Sequence, residues 1–178
     1  MSYIIDWLTA AFSSPHSSIA QIIGFVPLGM ALFIFKYNSR KKTLILKMTA
    51  DGLWAVHFFI LGQFTGGAIN VVNIVRGYVF LNRNKKWASK IYIPIIFCVL
   101  ILLTAIPDFQ GPKNFLAVFG SILAVIGFWQ NDIKKLRIYN FLGISLWLIY
   151  GILTVSVPVV ISNAFSIISI ISSFKKKK

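Results

Sequence analysis

Trp54 with Asn70, and Trp147 with Asn163, are the residues whose types and spacing could do chemistry. Each Asn follows its Trp by 16 residues, and the second pair repeats the first at an offset of 93. An indole offers a flat apolar face to a ring-bearing solute, and a side-chain amide offers a donor and an acceptor. Two of each around one axis could clasp a small polar ligand. Both pairs stand in long apolar stretches, with a short polar or Gly- or Pro-bearing turn midway between Trp and Asn. Folded as antiparallel helix pairs at ~1.5 Å per residue, all four side chains lie ~12 Å below one membrane surface, near the middle of a ~30 Å core. A polar amide at that depth is expensive without a partner, which marks it as a candidate site. The competing assignment is structural: the Asn side chains bridge helices and the Trp rings fill the bundle centre.

Other polar residues share these faces. Asn73 lies at i+3 from Asn70, and Ser166 holds the matching place in the second copy. His57 and Tyr150 also match, one turn beyond each Trp. They could line the same cavity, with His57 titrating to couple protons, or His57 could be a hydrogen-bonded structural residue. Asp51 and Arg76 are opposite charges expected at one depth on neighbouring helices, ~19 Å from the outer surface, and an intramembrane ion pair is expected of them. Lys47 is expected to snorkel to the cytoplasmic interface. Pro27 falls inside an apolar stretch and reads as a kink or hinge. Cys98 is the lone cysteine, so no intrachain disulfide is expected. His16, His57 and Cys98 have no metal-ligand spacing and no phosphate-cradling Gly loop occurs, so neither catalysis, a metal nor a cofactor is expected.

The elements that must position these residues are membrane spans. The chain has 178 residues, of which 57% are hydrophobic and 12% charged, with a mean hydropathy of +0.80. Soluble domains are roughly 25% charged. The net charge of +14 would suggest nucleic acid in a soluble domain. Here the basic residues cluster between apolar segments, so the partner is the lipid bilayer and no nucleic acid is expected. Apolar runs predict seven spans, at 18–36, 43–62, 68–81, 91–106, 114–129, 135–153 and 157–174. Residues 1–17 form a short outer-face segment, with no positively charged n-region that would predict a cleaved signal peptide. The run 175–178 is a basic tail. Assigned alternately to the two sides, one set of loops collects Arg40, Lys41, Lys42, Arg83, Lys85, Lys86, Lys90, Lys134, Lys135, Arg137 and the tail, whereas the other holds Lys113, Asp6 and Asp108. The positive-inside rule then puts the N-terminus outside and the C-terminus in the cytoplasm. Asn131 and Asp132 are expected to cap the sixth span.

The repeat extends beyond the Trp and Asn residues. At the same offset Lys41 aligns with Lys134, Lys42 with Lys135, Leu53 with Leu146 and Ile74 with Ile167, and Gly24 matches Gly120 after a three-residue shift. Two three-helix units in tandem would be inverted, and one plain linker helix restores a parallel arrangement. The expected domains are 18–82, 83–113 and 114–174, flanked by the outer segment and the tail. The fold class expected is an all-α polytopic membrane protein in a 3+1+3 plan.

This plan resembles the SWEET/SemiSWEET and PQ-loop (MtN3) transporter superfamily, and within it the bacterial YgjV-type inner-membrane proteins. The residues that carry the likeness are Gln21 to Gly24, His57 to Gly62, Ser145 to Tyr150 and the basic tail. The resemblance implies a bacterial inner-membrane location and a midplane pocket for a small-molecule solute, sugar-like or vitamin-like, lined by Trp54, Asn70, Trp147 and Asn163. Prolines that SWEETs carry on the first two helices of each repeat are matched here only by Pro27, and no Pro-Gln pair occurs. A transporter of a small polar solute is expected. A non-transporting scaffold or receptor on the same fold is the alternative, and the sequence leaves oligomerisation open.

Overall fold

The computed structural model describes residues 2–34, 39–107 and 111–175. The expected end of the first span at 35–36, Asp108 and the tail at 176–178 lie outside the described residues. Eight helices form among them: α1 (Ser2–Ala11), α2 (Pro15–Ile34), α3 (Arg40–Ile60), α4 (Phe64–Leu81), α5 (Tyr92–Leu103), α6 (Lys113–Trp129), α7 (Ile133–Leu153) and α8 (Val157–Lys175). Four of these, α3, α4, α7 and α8, are long and apolar enough to cross a membrane by length and composition. Two elements depart from the sequence expectation. Residues 2–11 are helical, and the fourth span shrinks to the 12 residues of α5. At ~1.5 Å per residue, α5 covers ~18 Å, less than a ~30 Å hydrocarbon core.

Local chemistry sets the helix ends. The Ser39 side chain accepts from the Lys42 amide to start α3, and Asp132 accepts from the Lys134 amide at 2.7 Å to start α7. Asn131, expected to share that capping, accepts instead from Arg83 Nη1 at 3.0 Å. Arg83 also donates to the Trp129 carbonyl and lies 3.9 Å over the Trp129 ring. It thereby ties the end of α4 to the end of α6. The α3–α4 turn takes a left-handed residue at Gly62 (φ 68°). The α7–α8 turn takes one at Val155 (φ 52°), which is Gly62 plus the repeat offset. A β-branched residue is strained there. Gln21 braces it, donating to the Val155 carbonyl at 2.9 Å and accepting from the Val157 amide at 3.1 Å.

Packing runs in the same order in both halves. α3 lies between α2 and α4, and α7 between α6 and α8. Contacts of α4 with α6 and of α2 with α8 close these six helices into a ring, while α5 lies against α4 and α6, and α1 touches α2. Gly120 and Gly143 bring α6 and α7 together: a Cβ on Gly143 would stand 2.5 Å from the Gly120 carbonyl oxygen. Gly24 likewise faces His57, where a Cβ would come within 2.8 Å of Nδ1.

Burial is inverted relative to a soluble protein. Large apolar side chains such as Ile22, Val26, Val75, Ile95, Leu103, Phe119 and Ile168 are exposed on the outside. Gln21, Asp51, His57, Asn70, Asn73, Arg76, Asn114, Ser121 and Asn140 are buried. Water would reverse both preferences, and a hydrocarbon surround explains them together.

Candidate functional site

Within the ring lies a partly open cavity of about 100 Å³. Its lining is two-fold in sequence: Trp54 and Trp147, Asn70 and Asn163, Asn73 and Ser166, Lys47 and Asn140, and Ala50 and Gly143 are all pairs at the repeat offset. The two Trp residues come from α3 and α7, and the two Asn residues from α4 and α8. Ala31 of α2 and Ser121 of α6 complete the circuit, and neither α1 nor α5 reaches it. The first-copy and second-copy Trp and Asn residues are thus brought to one chamber, as is Asn73.

Several of these polar groups have hydrogen bonds that orient them. Asn70 Nδ2 donates to the Gly66 carbonyl and Asn140 Nδ2 to the Leu136 carbonyl, each at 2.8 Å one turn back on its own helix. Trp147 Nε1 donates to Ser121 Oγ at 3.1 Å, fixing the indole against α6. The Asn73 carbonyl oxygen has no hydrogen-bond partner. Phe58 stands between the indoles, with ring centroids 6.3 Å from Trp54 and 5.6 Å from Trp147. These three rings line the part of the cavity nearer the α3–α4 turn. Lys47, Asn140 and Arg76, further from that turn along their helices, make the opposite end polar and charged.

Three expectations are corrected. His57 and Tyr150 are fully buried and do not line the cavity. His57 Nδ1 lies 2.6 Å from the Ala20 carbonyl and Nε2 2.8 Å from Ser156 Oγ. A neutral ring protonated at Nδ1 satisfies both, so His57 staples α2 to the α7–α8 turn. Tyr150 packs behind the closing aromatics, 5.7 Å from Phe58 and 5.3 Å from Trp147. The third correction concerns charge. Asp51 forms its salt bridge with Lys47, one turn back on α3, and none with Arg76. That i, i+4 contact is local to one helix face. Arg76 is 1% exposed, and its Nε and Nη1 have no hydrogen-bond partner. Its guanidinium carbon lies 5.2 Å from the centroid of the Phe128 ring. Pro27 is buried within α2 and does not border the cavity.

Sequence reasoning missed Phe58, Ser121, Lys47 and Asn140 as lining or closing residues. A signal for the last two was present. Lys47 precedes Trp54, and Asn140 precedes Trp147, by seven residues, two helical turns and therefore one face.

Apolar flanks turned outward and polar side chains buried among the helices define a multi-pass α-helical membrane protein. The chain belongs to the Imp-YgjV family of bacterial inner membrane proteins, whose model matches residues 18–177. It is similar to the inner membrane protein YgjV of Escherichia coli (strain K12), with 26% identity over 136 residues covering 75% of this chain and 70% of that protein. No solved structure matches the chain. Its place is accordingly the bacterial inner membrane, as a multi-pass protein.

Proposed function

We propose that the chain carries a small polar solute across the inner membrane, in a SWEET-like plan. Two three-helix units, α2–α4 and α6–α8, flank a central binding chamber, with α5 as the linker that sets them parallel. The N-terminus faces outward and the C-terminus lies in the cytoplasm, the arrangement the basic loops favour. The observation that carries this reading is the convergence of both Trp–Asn pairs, 93 residues apart in sequence, on one cavity. Solute would bind between the repeats, and the units would rock around it, opening alternately to each side. The Trp54–Phe58–Trp147 layer is the outer gate in this scheme. The charged end, with Lys47 and Arg76, faces the cytoplasm.

Site-directed cysteine accessibility tests it. In a Cys98→Ser background, Asn70→Cys and Asn163→Cys are labelled with a membrane-impermeant thiol reagent from each side of vesicles. Labelling at both positions is expected, and bound solute should slow it. Protection of both from either side would leave the chamber as packing and favour a non-transporting scaffold.

A further inference from the structure

We propose that the chamber takes a small organic monoanion, with Arg76 receiving its carboxylate. This rests on the solute-carrying reading and specifies its substrate class. Lys47 and Arg76 line the inner end of the chamber, and Asp51 is buried beside Lys47. Asp51 forms a salt bridge with Lys47 through one carboxylate oxygen, and its other oxygen has no hydrogen-bond partner. Arg76 keeps its charge, is almost fully buried, lines the cavity, and has two nitrogens without hydrogen-bond partners. Its contact with the Phe128 ring supplies only the weak attraction of a ring face. Asp51 lies near enough to act on this guanidinium but is shared with Lys47, so the three groups together keep one net positive charge that an anion entering the chamber would balance. A planar fork of donors matches a carboxylate best.

The repeat shows that the fold does not demand this charge. At the offset of 93, Lys47, Asp51 and Arg76 correspond to Asn140, Ile144 and Ser169. The second unit builds the same helices around the same Trp and Asn with no charged group at those places. The extra cation is therefore a one-sided addition to a two-fold chamber, and one net positive charge sets the ligand at one negative. The remaining contacts suit its body: the indoles of Trp54 and Trp147 for an apolar or ring portion, and the orphaned Asn73 carbonyl oxygen for a hydroxyl or amine.

Matched acids and primary amides separate charge from shape. Thermal unfolding of the purified full-length protein is followed with lactate against lactamide, glycolate against glycolamide and nicotinate against nicotinamide. At least one acid is expected to raise Tm where its amide does not, with a preference of roughly 10–100-fold in apparent affinity. Arg76→Gln should abolish that preference, and Arg76→Lys, which keeps the charge but loses the fork, should retain part of it. Acids and amides acting alike, every acid failing to act, or an acid response that survives Arg76→Gln would each overturn the proposal. If Arg76→Gln does not fold, the wild-type acid–amide comparison and Arg76→Lys decide. Labelling at position 163 separates the two readings. A reachable chamber that ignores acids sinks the anion and spares solute carriage, whereas an unreachable one sinks both.

Discussion

Asp51 has a lysine one turn back on its own helix and an arginine expected at similar depth on the next. It takes the lysine. Neighbours at i, i+4 on one helix face meet without the neighbouring helix having to present its side chain in register. A double-mutant cycle on Lys47→Met and Asp51→Asn should therefore show the larger coupling, about 0.5–3 kcal/mol, and the cycle on Asp51→Asn and Arg76→Gln the smaller. Melting curves in detergent measure both, and the reverse order would return Asp51 to Arg76. His57 also acts at this scale. Its two ring nitrogens hold partners on α2 and on the α7–α8 turn, so His57→Phe should cost about 1–3 kcal/mol for each partner left unsatisfied. Ser156→Ala should cost less, because it leaves only His57 Nε2 without a partner, whereas His57→Phe leaves two groups unsatisfied. Equal melting temperatures for His57→Phe and wild type would remove the staple.

Helices and turns carry the repeat further than the residue alignment did. Trp, Asn and the dibasic loops were legible because they are rare types at a fixed offset. The fourth span was read too long because an apolar run reports hydropathy and not where a helix stops. The short helix 2–11 carries no such signal, since residues 1–17 read in sequence only as a short outer-face segment. It packs on α2 and docks through Trp7 Nε1, which donates to the Ile152 carbonyl at 3.0 Å. The shared left-handed residue in the two turns was invisible in sequence, since one copy uses Gly62 and the other Val155. That difference is testable. Gly62→Val should lower stability by about 1–2 kcal/mol, the cost of a left-handed β-branched residue, although no atom lies within 4 Å of the new Cβ. Val155→Gly should be neutral or slightly stabilising, the relieved strain offsetting the freer unfolded chain. A second pair of variants probes the α6–α7 contact. Gly143→Ala should push these helices apart and lower Tm, while Gly29→Ala, with open space at its Cβ, should leave Tm equal or higher. Indistinguishable effects would mean that the close approach is not what aligns Trp147 with Ser121.

For the whole molecule, the repeat pointed to the four Trp and Asn residues of the cavity, whereas the ring that surrounds it depends on α4 meeting α6 and α2 meeting α8, which no local pattern in the chain specifies. The proposed orientation makes a direct prediction: a fluorescent protein fused after residue 178 should mature in the cytoplasm, and a periplasm-dependent phosphatase fused there should stay inactive. The opposite pattern would invert the topology and turn the Trp54–Phe58–Trp147 layer towards the cytoplasm. The salt bridge between Lys47 and Asp51 has an electrical consequence as well. With those two charges cancelled, Arg76 remains as a charge that the transmembrane voltage can act upon. A motion that carried it through the full field would exchange about 2.3 kcal/mol for every 100 mV. A carrier holding a monoanion would make the same passage as a neutral body, so its loaded and empty strokes would respond differently to the energised state of the cell.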